Sequence, residues 1–194
     1  MNHFSLKCLE KLILVGCMGK LKTLDIVTLA LFSALTAIGA YISIPLPFSE
    51  VPITLQTMFT YIAGAVLGGY LGALSQLIYL LIGVAGLPIF AGGGSSLSVL
   101  IGPSGGYLLG FILAAFVIGE LKKLKRGFVW LFICMVTGTI IIYILGIAQL
   151  MNWAKISLNQ AIVIGILPFI FGDIIKILLA TYITQRVEKI FPNL

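Results

Sequence analysis

The stretch VPITLQTMFTYIAGAVLGGYLGALSQLIYLLIGVAGLPIFAGGGSSLSVLIGPSGGYLLGFILAAFVIG, residues 51–119, contains no charged residue. At about 20 apolar residues per crossing, it has room for three membrane helices and the turns between them. Its punctuation is glycine and proline alone: Gly68, Gly69 and Gly72 in the first half, then Gly86-Leu-Pro88, then the glycine-rich run up to Gly106. This predicts spans over 54–69, 70–86 and 106–121. Outward from it, residues 24–44 predict a span stopped by Pro45 and Pro47, and residues 128–150 and 160–183 predict two more. The expected fold is all-α, a polytopic membrane protein with six transmembrane helices and a glycine-rich outer loop between the third and fourth.

Composition supports this class. Hydrophobic residues make up 60% of the 194 and charged residues 9%, with a mean hydropathy of +1.19. A soluble domain carries roughly a quarter charged residues. A soluble enzyme, a disulfide scaffold, a disordered tail and a coiled coil are excluded. The net charge of +6 reads as a topology signal rather than as affinity for nucleic acid. Lys7, Lys11, Lys20 and Lys22 precede the first span, Lys122, Lys123, Lys125 and Arg126 follow the fourth, and Arg186 and Lys189 follow the sixth. Six spans put all of these on one side and leave Lys155 alone on the other. The prediction is a cell-membrane protein with both termini cytoplasmic: an extension over 1–23, a membrane domain over 24–185 and a tail over 186–194.

Chemistry is narrowed in the same way. The single histidine, His3, is far from any span, and no pattern for a P-loop nucleotide site occurs. Cys8, Cys17 and Cys134 form no pair with metal or redox spacing. Leu14-Val-Gly-Cys17 resembles a lipoprotein cleavage box, but the apolar run before it is short. Gly102-Pro-Ser104-Gly-Gly106 matches the G-x-S-x-G of serine hydrolases. A serine nucleophile needs a base within reach, and no histidine is embedded in the membrane to serve. No metal, cofactor or enzymatic activity is expected.

The strongest polar signal is Phe171-Gly-Asp173-Ile-Ile-Lys176. The i, i+3 spacing sets both charges on one face of the last span. Each costs roughly 2.5–3.5 kcal/mol at a helix centre on insertion scales. An ion pair that is only structural is one reading. A binding site is favoured, because an apolar pair would serve stability alone at less cost. Thr54 and Gln56 open the second span, Tyr79 lies in the third and Tyr107 opens the fourth. Together these groups suit a small, largely apolar ligand with a few polar corners. The long second outer loop retains Phe90, Leu97, Val99, Leu100 and Ile101, which predicts that it folds over the bundle as a lid. Gly64, Gly68 and Gly72, and Gly102, Gly106 and Gly110, are spaced for close helix packing. Ala30 and Ala34 make a similar step in the first span, where contact with a partner helix is a second reading.

Four motifs in order, Val51-Pro-Ile-Thr-Leu-Gln56, Gly86-Leu-Pro-Ile-Phe-Ala-Gly-Gly-Gly94, Gly102-Pro-Ser-Gly-Gly-Tyr-Leu-Leu-Gly-Phe111 and Pro168-Phe-Ile-Phe-Gly-Asp173-Ile-Ile-Lys176, resemble the BioY family. Its members are biotin-specific S components of energy-coupling-factor (ECF) transporters. The resemblance covers about residues 24–185. It implies high-affinity capture of biotin from the outer side and uptake driven by an ECF transmembrane coupling protein and two ATPase subunits. It implies Asp173 and Lys176 as ligand-contacting groups, Gly92, Gly93 and Gly94 as part of the lid with Tyr107 beside it, and Ala30 and Ala34 as the docking step for the coupling protein. Some members carry Asn and Arg where this chain has Gly94 and Leu108. Lys176 is then the leading cation for the biotin carboxylate, with Asp173 or Gln56 for the ureido end. The remaining readings are an S component for another vitamin, an intramembrane serine hydrolase and a passive channel.

Overall fold

The computed structural model describes residues 21–47 and 49–190. The Cys17 motif and Lys7, Lys11 and Lys20 lie outside them. Helix α1 spans Thr23–Tyr41, with Asp25 in its first turn accepting from the Lys22 backbone N–H at 2.9 Å. Strands β1 (Ser43–Leu46) and β2 (Ser49–Thr54) follow. Then come α2 (Gln56–Leu67), α3 (Gly69–Val84), a 3-10 turn (Ala91–Gly93), α4 (Leu97–Ile101) and α5 (Gly105–Lys122). Helices α6 (Phe128–Ala154), α7 (Leu158–Gly165) and α8 (Leu167–Ile190) follow as the last of the described elements.

Among the described residues four helices, α1, α5, α6 and α8, are long and apolar enough to cross a membrane, and α3 is a shorter apolar helix. Their burial is inverted relative to a soluble bundle. On α8, Asp173, Lys176, Ile177, Ala180, Thr181 and Thr184 face inward, whereas Phe171, Ile175 and Leu179 are exposed. Exposed apolar faces of this extent are stable where lipid is the solvent.

Two expectations are corrected. The first outer loop is a β-hairpin, with Ser43 opposite Thr54 and Ile44 opposite Ile53. Pro45 and Pro47 forbid helix there, and the β-branched Val51, Ile53 and Thr54 favour a ladder that pairs the backbone groups. The last span is not continuous from 160 to 183. Ile166 leaves helical geometry at φ −127, ψ −56. Pro168, which has no N–H, takes its place in the first turn of α8 without losing a bond. Helix α8 then runs to Ile190, so Arg186 and Lys189 are helical.

Glycines set the helix spacing. A Cβ on Gly64 would lie 2.4 Å from the Ala115 carbonyl, and one on Gly119 would lie 2.1 Å from the Gly69 nitrogen. Gly106 and Gly110 meet α6 at Leu145 and Ile142 in the same way. Gly68 serves differently, turning the chain between α2 and α3 at φ +82. Cys134 is buried and free, acting as a small apolar residue.

Candidate functional site

Beneath the hairpin and the glycine-rich loop, α2, α5, α6 and α8 enclose a cavity of about 150 Å³. Of the residues singled out in the sequence, Thr54, Gln56, Tyr107, Asp173 and Lys176 line it. Apolar walls come from Val51, Phe90, Val99, Phe111, Ile142 and Phe169.

Asp173 and Lys176 are 3% and 5% exposed and form an ion pair. The Lys176 ammonium also donates to the Thr54 carbonyl and to Thr57 Oγ1, each at 3.0 Å. Two of its three N–H groups are thus hydrogen-bonded, and the contact with Asp173 is made as an ion pair. Oδ1 of Asp173 has that ammonium as its one partner among the described residues, and Oδ2 accepts from the Tyr143 hydroxyl at 2.5 Å. The pair therefore locks α8 against the start of α2 and against α6, and it presents both charges to the cavity.

Gln56 is fixed at both ends of its amide. Oε1 accepts from the Thr54 hydroxyl at 3.0 Å, and Nε2 donates to the Tyr79 hydroxyl. That hydroxyl donates in turn to the Ile89 carbonyl at 3.2 Å, tying the glycine-rich loop to α3. Behind it, Thr60, Gln76, Thr36 and Ser75 continue the buried hydrogen-bonded chain into α3 and α1. Inside a low-dielectric bundle such a network holds only if each member is partnered.

Two sequence expectations shift. Tyr79 stands behind Gln56 and does not line the cavity. Gly92, Gly93 and Gly94 do not line it either; Phe90 and Ala91 do. Gly92 and Gly93 adopt φ +70 and +75 and are exposed, while Gly94 closes the turn by pairing with Phe90. Phe90 is 1% exposed and packs edge-on to Tyr79 at 5.6 Å, in the hollow left by Gly83. The Tyr107 ring lines the cavity, but its hydroxyl donates to the Gly165 carbonyl at 2.9 Å, capping the end of α7.

The sequence reading missed Tyr143, Thr57 and Glu50, all of which line the cavity. Glu50 carried a signal, since it is the one charge between Asp25 and Glu120. Tyr143 carried none, because it meets Asp173 from another helix. Ser104 also lines the cavity, but the Lys176 ammonium there is paired with Asp173 and no histidine is near among the described residues, so no base activates the hydroxyl as a nucleophile. Ala30 and Ala34 both lie on an exposed face of α1.

The arrangement offers a buried cation, a buried carboxylate, an amide and aromatic walls to a compact ligand with polar ends. The BioY family model matches residues 15–193 of the chain. The biotin transporter BioY of Thermotoga maritima is 43% identical over 166 residues, covering 86% of this chain and 96% of the relative. The probable biotin transporter BioY of Pyrococcus horikoshii is 39% identical over 168 residues, 87% and 98% of the two chains. The crystal structure of an S-component for biotin from an ECF-type ABC transporter superposes with a TM-score of 0.80 at 32% identity, covering 85% of this chain and 90% of that one.

Proposed function

Since the chain belongs to the BioY family, we propose that it captures biotin as the membrane-embedded substrate-binding component of an ECF-type transporter. The observation that carries this is the Asp173–Lys176 pair buried in the wall of the Thr54–Gln56 cavity, in a chain whose relatives bear the name biotin transporter. A carboxylate ligand displaces one of the present partners of the Lys176 ammonium, the Thr57 hydroxyl or the Thr54 carbonyl. Asp173 or Gln56 serves the ureido group, and the aromatic wall covers the apolar ring and chain. Ligand pockets run roughly 300–1,000 Å³. The cavity of about 150 Å³ therefore has to widen, and the loop held by Phe90 and the Tyr79–Ile89 hydrogen bond is the movable wall.

The chain then makes six crossings, α2 and α3 being the short ones, with both termini cytoplasmic. One feature supports this topology. The α2–α3 turn, the end of α5 and the end of α8 share one end of the bundle, where Lys122 pairs with Glu188. The hairpin, the glycine-rich loop and the biotin cavity share the other. The exposed Ala30–Ala34 step on α1 then receives the transmembrane coupling protein, and two ATPase subunits supply the energy.

The test is binding of labelled biotin to the purified full chain in detergent, with other vitamins as competitors. Saturable binding displaced by unlabelled biotin alone is expected, and it weakens in Asp173→Asn and Lys176→Ala. Displacement by a different vitamin, with no biotin binding, overturns the substrate assignment. Parent-like binding in both variants overturns the site.

A further inference from the structure

A second, larger cavity of about 590 Å³ lies at the opposite end of the bundle, between the α2–α3 turn and the ends of α5, α6 and α8. Its lining carries Lys122, Lys123, Lys125 and Arg126 against a single carboxylate, Glu188. Two of these cations are spoken for. Lys122 pairs with Glu188 and donates to the Ala65 carbonyl, and Lys123 lies 2.6 Å from Glu120. Lys125 and Arg126 have no acidic partner among the described residues. Lys125 sits 5.1 Å over the Trp130 ring, whose indole N–H donates to the Leu121 carbonyl at 2.9 Å. The same segment exposes Leu124 and Val129, at 68% and 70%.

Surplus cations, an anchored tryptophan and exposed apolar side chains on one short segment mark the boundary between headgroups and hydrocarbon. The cavity is within the size range of small-molecule pockets. We propose that it binds the phosphodiester head of an anionic phospholipid, with Arg126 and Lys125 on the phosphate and the acyl chains along Leu124 and Val129. A free phosphate would use the same cations but would draw nothing from the apolar rim.

The test is retention of phosphatidylglycerol against phosphatidylcholine by the purified full chain in mixed micelles, read by native mass spectrometry. Preferential retention of phosphatidylglycerol is expected. In Lys125→Gln/Arg126→Gln the preference falls about tenfold or more, while Lys155→Gln at the other end leaves it unchanged. Biotin binding by the double variant reports that the fold is intact; if the double variant does not purify, Arg126→Gln alone is measured and still lowers retention. Millimolar inorganic phosphate does not displace the lipid. Equal retention of the two lipids, or an unchanged preference in the variant, overturns the proposal. Full displacement by inorganic phosphate makes the cavity a free-anion site and overturns it equally.

Discussion

Replacing Lys176 with Met and Asp173 with Asn, singly and together, separates a ligand site from a structural ion pair. Both residues are at most 5% exposed. Lys176→Met leaves a buried carboxylate with the Tyr143 hydroxyl as its remaining partner, and it strips the donor from the Thr54 carbonyl and Thr57. Removing one member of a buried pair costs about 3–5 kcal/mol. Removing both charges abolishes the uncompensated ion but still leaves the Thr54 carbonyl without its donor, so the double variant is expected to be more stable than the Lys176→Met single variant while staying about 1–3 kcal/mol below the parent. Stability is followed by thermal unfolding in detergent and biotin affinity by equilibrium binding. A charge-assisted hydrogen bond to ligand contributes about 1.5–3 kcal/mol, a factor of roughly ten to a hundred in Kd. The double variant therefore recovers part of the stability lost in Lys176→Met without recovering affinity. If it recovers both, the pair neutralises itself and nothing more, and the site assignment fails.

Other consequences follow from single contacts. Tyr79→Phe removes the hydroxyl that joins Gln56 to the Ile89 carbonyl and leaves a buried amide donor unpaired, at about 1–3 kcal/mol. The glycine-rich loop should then be cut faster by protease in the absence of biotin, and an unchanged rate would remove the anchor. Gly64→Val forces a side chain toward the Ala115 carbonyl 2.4 Å away, with an expected stability loss of about 1–3 kcal/mol from overpacking; thermal unfolding at the parental temperature would show that the helices are not that close. Ala30→Trp enlarges an exposed face of α1. It should leave biotin binding by the isolated chain intact while uptake into cells falls several-fold; normal uptake would move the docking step elsewhere.

Much of the architecture was legible because membrane insertion reads a one-dimensional quantity. The charge-free run of residues 51–119 predicted helices that the structure places at Gln56–Leu67, Gly69–Val84 and Gly105–Lys122. Pro168 signals a lost backbone hydrogen bond in the last span, but it does not tell a kinked helix interior in lipid from the first turn of a new helix, so the break at Ile166 is not legible from it. The hairpin was hidden by its prolines, which signal a loop without saying whether its backbone groups pair.

The sequence alone determined that the chain lives in a bilayer and that one helix carries an opposed pair of charges on a single face. It did so because hydropathy and the 3.6-residue period are properties of consecutive residues. Tertiary structure decided what surrounds that pair. Tyr143 reaches Asp173 across 30 positions and Thr54 reaches Lys176 across 122. Tyr79 was turned to brace Gln56, and Phe90 rather than the glycines became the cavity wall. Those outcomes depend on how far each helix rotates about its axis, and the rotation is set by where Gly64, Gly119, Gly106 and Gly110 let neighbouring backbones touch.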